Sequence, residues 1–202
     1  MVRYCVIDTE TTGLPIRKSY DDYYPFTDFS KYAKSRIVSI AWAVYEGTVK
    51  IQGGYFIVKP IDFTIDDRSI STKIHGITSE IANEEGILLN KVFEKFEGSL
   101  EKVELLVAHN LAFDKNIILA EASNLGMLNL VRRISSIPEF CTMKQGKNVT
   151  KLRSRYKLND FKYPKLSELY FHFYHAKFHN AHNALADVNA CVACYQKLNS
   201  ML

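Results

Sequence analysis

Apolar positions along the chain change period several times, and each change marks an element. Tyr4-Cys5-Val6-Ile7 is an unbroken apolar run, the pattern of a buried strand, so residues 3–8 read as a strand ending at Asp8. Ile37, Val38, Ile40, Ala41 and Val44 mark a second strand between Arg36 and Tyr45. Tyr55-Phe56-Ile57-Val58 reads as a third, and Gly53-Gly54 before it suggests a hairpin or a bulge. Thr78 with Glu80 to Asn83 suggests a short capped helix. Leu89, Val92, Phe93, Phe96 and Leu100 then recur at helical spacing. Leu105-Leu106-Val107-Ala108 returns to a buried strand that ends at His109. Ala112 to Leu125 reads as a helix with Gly126 as its C-cap, and 166–174 and 184–198 as the last two helices. Early antiparallel strands followed by alternating helices and strands predict an α/β sheet with helices on both faces.

Two stretches lack a period. Residues 14–35 read as an insertion loop with Asp21-Asp22-Tyr23-Tyr24-Pro25 and the further aromatics Tyr20, Phe26, Phe29 and Tyr32. A docking surface, a substrate clamp and a disordered loop are all open to it, and the aromatics argue against full disorder. Residues 144–165 read as a basic loop. Lys144, Lys147, Lys151, Arg153, Arg155, Lys157, Lys162 and Lys165 are opposed only by Asp160, with Tyr156, Phe161 and Tyr163 among them. No repeat, low-complexity segment or interdomain linker stands out, so residues 1–202 are expected to form one domain.

Composition narrows the class. Hydrophobic content of 47% and charged content of 24% suit a globular protein with a substantial core. A net charge of +4 is too mild to imply nucleic acid on its own. No stretch has the apolar length of a membrane span, and the N-terminus is a strand pattern rather than a signal segment. An intracellular setting, cytoplasmic or nuclear and away from membranes, is therefore expected. The 4 cysteines then suggest no disulfide framework, and Asn148-Val149-Thr150 would not be used as a glycosylation acceptor.

The chemistry lies in three short blocks: Asp8-Thr9-Glu10-Thr11-Thr12-Gly13, His109-Asn110-Leu111-Ala112-Phe113-Asp114 and His182-Asn183-Ala184-Leu185-Ala186-Asp187. Acids at the end of a buried strand or on an apolar helix face need a compensating charge, and divalent cations are the obvious candidates. Residues i and i+2 of a strand share a face, so Asp8 and Glu10 present paired carboxylates while Thr9 faces away. Each block also has a plainer reading: Asp8 and Glu10 as a solvated strand end, Asp114 as a first-turn acid favoured by the helix dipole, His109 and Asn110 as caps of the helix near Ala112.

Together and in order, the blocks resemble the DEDDh group of 3′–5′ exonucleases, which includes the proofreading subunit of bacterial replicative polymerase. Asp8-Thr9-Glu10-Thr11-Thr12-Gly13 looks like that family's first motif, Asp114 with His109-Asn110 and Phe113 like the second, and His182 with Asp187 like the third, in its histidine version. Ile74-His75-Gly76-Ile77-Thr78 and Pro164-Lys165-Leu166-Ser167-Glu168-Leu169-Tyr170 are further echoes, and the resemblance runs from about residue 2 to about residue 198.

The resemblance implies a ribonuclease-H-like fold, a mixed five-stranded sheet with helices on both faces. It implies two divalent cations, Mg²⁺ or Mn²⁺, held by Asp8, Glu10, Asp114 and Asp187 about 4 Å apart. Asp8 is expected to serve both ions, Glu10 and Asp187 the tighter one, and Asp114 the second, largely through water. His182 is the expected general base, its spacing to Asp187 selecting it over the nearby His179. Thr11, Thr12, Leu14, His109, Asn110 and Phe113 are expected to contact the 3′ end, Leu14 as a wedge and Phe113 by stacking or packing. Beside such a centre, the basic stretch 144–165 is expected to bind phosphates.

The function that follows is a 3′–5′ exonuclease releasing nucleoside monophosphates from single-stranded DNA. An exoribonuclease and a non-catalytic nucleic-acid-binding scaffold are the alternatives. The expected partner is nucleic acid with a free 3′ end, with a DNA polymerase acting in trans if the setting is proofreading. One rival metal reading, structural zinc held by His172, His175, His179, His182, Cys191 and Cys194, is set aside because both cysteines fall in an apolar helical stretch.

Overall fold

The computed structural model describes residues 1–19, 22–154 and 160–201. Tyr20 and Asp21 of the insertion, and Arg155, Tyr156 and Lys157 of the basic stretch, lie outside the described residues. The strands are β1 (Arg3–Thr11), β2 (Ile37–Glu46), β3 (Val49–Ile57), β4 (Leu105–Ala108) and β5 (Glu139–Cys141), in spatial order β3-β2-β1-β4-β5. β1–β2 and β2–β3 pair antiparallel, β1–β4 and β4–β5 parallel. Connection length explains the mixture: Gly47-Thr48 closes the β2–β3 hairpin, whereas each parallel neighbour is reached through helices.

The helices are α1 (Ile70–His75), α2 (Ser79–Glu85), α3 (Leu89–Ser99), α4 (Leu111–Asn124), α5 (Leu128–Ser136), α6 (Thr142–Thr150), α7 (Leu166–Tyr174) and α8 (Ala184–Asn199). They cover both faces of the sheet. Cys5 and Ile7 of β1, with Ile40, Trp42 and Val44 of β2, pack toward α3, α4 and α5. Tyr4, Val6, Ala41 and Ala43 pack against Val188, Cys191, Val192 and Tyr195 of α8. Double coverage is why these strands read as continuous apolar runs. Among the described residues, no helix is long and apolar enough to cross a membrane.

Several elements differ from the expectation. β1 runs three residues beyond Asp8, to Thr11, because β2 keeps pairing with it through a register shift at Glu10/Thr11. Gly53 and Gly54 lie inside β3 rather than before it, opposite Ala43 and Trp42. A Cβ on Gly53 would stand 2.6 Å from the Trp42 carbonyl, and one on Gly54 would stand 2.7 Å from the Trp42 ring. These glycines make room for Trp42 and do not break the strand.

The region 144–165, read as a loop, begins as helix: Lys144 and Lys147 sit on α6. The apolar pattern misses α6 because its packed positions are Thr142, Met143 and Gly146, and Gly146 lets Leu169 and Pro164 approach closely. In the 14–35 segment Tyr32 is buried, its hydroxyl donates to the Tyr24 carbonyl at 2.5 Å, and Phe26 and Phe29 pack on the main core.

Candidate active site

The end of β1 assembles the centre. Asp8 and Glu10 share the face covered by α8, as the two-residue period requires. α8 begins at Ala184, where the Asn183 side chain accepts from the Ala186 amide at 3.2 Å, and this cap sets Asp187 in the first turn. One carboxylate oxygen each from Asp8, Glu10 and Asp187 lie within 4.8 Å of one another, a set able to hold a metal ion. The His182 amide donates to Asp187 Oδ2 at 3.1 Å, with His182 in the left-handed region at φ 70°.

Asp114 arrives from the other side of the sheet. The last β1–β4 rung is Val6 with Val107, so the edge of β1 beyond it is open on that side. Asn110 turns the chain at φ 70°, and the first turn of α4 falls beside that open edge. There the Thr9 amide and hydroxyl both donate to Asp114 Oδ1, at 2.9 and 2.8 Å. Thr9 faces away from the two acids as expected, but that direction is where it grips Asp114. Sequence reasoning missed this contact. The signal was there, since a hydroxyl on a buried strand needs a polar partner.

The electrostatics are those of crowded acids without a cation. Burial raises Asp8 well above the carboxylate range, and the negative charges of Asp114, Asp187 and Glu10 raise it further. Burial, then Asp187 and Asp114, push Glu10 up to about 8. Burial pushes Asp114 up to about 7 against the lowering effect of the Thr9 hydrogen bonds. Asp187 is raised by burial and eased by the His182 amide. Among the described residues no lysine or arginine forms an ion pair with any of the four. An all-carboxylate donor set of this kind suits Mg²⁺ or Mn²⁺ and not a soft metal.

Of the remaining candidates, Thr11, Leu14, His109, Asn110 and Phe113 line two clefts, and Thr12 lines neither. One, of about 600 Å³, opens on Asp8, Asp187 and His182, and the other, of about 510 Å³, flanks Glu10 beside Ile70 and Ile74. Leu14, 68% exposed, and Phe113 line both and stand between them. The Thr11 hydroxyl donates to the Gly13 carbonyl at 2.7 Å. That of Thr12 donates to the Lys34 carbonyl at 3.1 Å and accepts from the Arg36 amide at 2.9 Å. Both hydroxyls thus brace the turn after the acids.

His109 is engaged inside the protein: Nε2 meets the Pro164 carbonyl and Nδ1 the Thr142 hydroxyl, each at 3.0 Å. A carbonyl only accepts, so Nε2 carries the proton and Nδ1 accepts. Burial holds its pKa down at about 4, so the ring is neutral. Neither nitrogen is left for a nucleotide, and His109 supports the cleft wall instead of contacting the 3′ end through them. Asn110 makes no side-chain cap, so the capping reading fails for both residues.

The zinc alternative finds no support among the described residues. Cys191 and Cys194 are buried free thiols whose pKa values burial raises, and the one group able to hold a metal is Asp8, Glu10 and Asp187. In the basic stretch Lys147 pairs with Asp160 at 2.9 Å and Lys162 with Glu168 at 2.5 Å. Lys144, Lys151, Arg153 and Lys165 are exposed, and Lys165 lies on the wall of the cleft that holds Asp8.

A family model described as Exonuclease matches residues 5–195. No curated protein sequence matches the chain. Among solved structures, E. coli Exonuclease I in complex with a dT13 oligonucleotide is similar with a TM-score of 0.71 and 16% identity, covering 99% of this chain and 41% of that one. Exonuclease I from Methylocaldum szegediense gives a TM-score of 0.70 and 17% identity, with coverage of 99% and 41%. Exonuclease X in complex with 5′-overhanging duplex DNA gives 0.60 and 20%, with coverage of 98% and 92%. At such identities the likeness shows the fold, which is ribonuclease-H-like. The chain spans 41% of the length of the Exonuclease I chains it matches.

Proposed function

The chain belongs to the exonuclease family, in its DnaQ-like form, and from that premise we propose that it removes nucleoside monophosphates from the 3′ ends of single-stranded DNA. The observation that carries the reading is the convergence of Asp8, Glu10 and Asp187, with Asp114 beside them and, among the described residues, no basic side chain paired with them. Two divalent cations, when bound, would supply charge neutralisation on the phosphoryl oxygens and Lewis-acid activation.

The residues of the chain do the rest. Asp8, Glu10 and Asp187 would hold one cation, and Asp8 with Asp114 would hold the other. His182, on the wall of the cleft that contains Asp8, takes the proton from the attacking water. Leu14 and Phe113, standing between the two clefts, separate the last two bases by stacking, a contact worth about 1–3 kcal/mol per base and indifferent to sequence. Thr11, lining the cleft beside Glu10, contacts the terminal nucleotide, while Thr12, whose amide donates to the Arg36 carbonyl at 2.9 Å and whose carbonyl accepts from the Ser71 hydroxyl at 2.7 Å, braces the turn. Asn110, on the rim beside Phe113, completes the contact.

DNA is favoured over RNA because two of the similar structures were solved with DNA bound, a dT13 oligonucleotide and a 5′-overhanging duplex. Proofreading with a polymerase in trans is the setting the family resemblance suggests. The test is incubation with Mg²⁺ or Mn²⁺ and 5′-labelled single-stranded DNA and RNA of matched sequence, beside EDTA and Asp8→Ala controls. A ladder descending from the 3′ end, lost in both controls and faster on DNA, is the expected result. A faster RNA ladder would make it an exoribonuclease. Binding without degradation would make it a scaffold.

A further inference from the structure

Thr9 lies between the two acids of β1, at the wall of the cleft that flanks Glu10, and it makes two of the shortest polar contacts in the centre. Its amide and hydroxyl both reach Asp114 Oδ1, 2.9 and 2.8 Å away, with Thr9 6% and Asp114 3% exposed. An oxygen that accepts two hydrogen bonds has both lone pairs committed, so Oδ2 is the atom left to face a cation. Two donors on one oxygen also fix the carboxylate's rotation, and a β-branched donor is itself stiff about χ1. Asp114 stands outside the set whose oxygens lie within 4.8 Å of one another, so the centre divides into a three-carboxylate part and a part that depends on Asp114.

We propose that the Thr9 hydroxyl is a positioning group for the Asp114 half of the centre alone, and that it sets the affinity of one of the two cations without touching the other. The inference rests on the two-cation reading above. A carboxylate steered by a partner outside the coordination sphere loses about 10- to 100-fold in metal affinity or activity when that partner is removed. Thr9→Val keeps the shape and the amide bond and removes only the hydroxyl bond. Thr9→Ser keeps both bonds.

The experiment titrates Mn²⁺ into metal-free protein and follows the free-ion signal by electron paramagnetic resonance, with thermal melts of each metal-free variant. Wild type should take up two ions. Thr9→Val should hold one of them about 10- to 100-fold more weakly and the other as wild type does, and Thr9→Ser should restore both. Turnover should follow the same pattern, with kcat reduced and substrate KM unchanged in Thr9→Val. If that variant does not fold, Thr9→Ala, which also keeps the amide, takes its place. Unchanged binding of both ions, or equal weakening of both, would overturn the proposal. Wild type that takes up fewer than two ions would instead remove the two-cation reading beneath it, a failure visible before any Thr9 variant is made.

Discussion

Asp114 and Glu121 stand seven residues apart on α4, two turns along one helix face, and are 3% and 1% exposed. Glu121 meets Arg36, Nε to Oε1 at 2.8 Å and Nη2 to Oε2 at 3.2 Å, and also accepts from the Ile37 amide at 3.3 Å. The guanidinium pairs with Asp62 as well, at 2.8 Å, and lies 5.2 Å from the ring centre of Phe29 and 4.6 Å from that of Phe63. Burial alone would lower the Arg36 pKa, yet its bonds to Glu121 and Asp62 hold it above the ordinary value. Asp114 meets only a hydroxyl and an amide, and its charged neighbours are other acids. The same helix therefore buries one carboxylate that the fold neutralises and one that it leaves unmet. The first is architecture. The second is suited to a cation from outside the chain.

Activity should break this comparison most sharply. Asp8→Ala or Asp187→Ala should lower turnover about 10³-fold or more, the equivalent of several kcal/mol of charge stabilisation, with the circular-dichroism spectrum unchanged. Retained turnover would remove both residues from the chemistry. Stability should answer the opposite way. Glu121→Ala leaves Arg36 with Asp62 alone and should cost about 3–5 kcal/mol in urea melts, whereas Glu10→Gln should leave the metal-free protein at least as stable as wild type.

The pH dependence follows from the raised acids. Asp114 at about 7 and Glu10 at about 8 keep protons in the native state that the unfolded chain releases near pH 4. That stability is fully present below about pH 4 and is lost as pH rises through the native values, so the metal-free melting temperature should fall between pH 5 and pH 8.5. Mn²⁺ should flatten the fall, and so should Glu10→Gln. Smaller still, Leu14→Ala and Phe113→Ala should each weaken single-strand binding by about 1–3 kcal/mol, read as a raised KM. Least of all, Arg153→Glu should lower the salt dependence of binding by about 0.7 in log–log slope for each phosphate it no longer neutralises.

The comparison also shows what a sequence makes legible. Asp8 and Glu10 could be placed on one face by the two-residue strand period and Asp187 just inside a helix, while the family resemblance brought the three together. Asp114 could be named but not oriented, since its orientation comes from Thr9, 105 residues away, across an open strand edge. The Arg36–Glu121 pair was invisible for the same reason, being an 85-residue contact between two residues that each look solvated in isolation. α6 escaped because it packs through a glycine and a threonine. Local period reports the face a residue takes. Partners brought together by the sheet report nothing until the chain is folded.

The central claim, that the fold leaves the acidic centre to be neutralised from outside, meets its most direct test in calorimetry of Mn²⁺ binding at pH 7 in two buffers of different ionisation enthalpy. Native acids raised to about 7 and about 8 hold protons at that pH, and a cation that takes their place must release them. The account predicts net proton release on binding, reduced in Glu10→Gln and unaffected by Lys151→Ala on the basic stretch. Binding without proton release, or no binding at all, would contradict it.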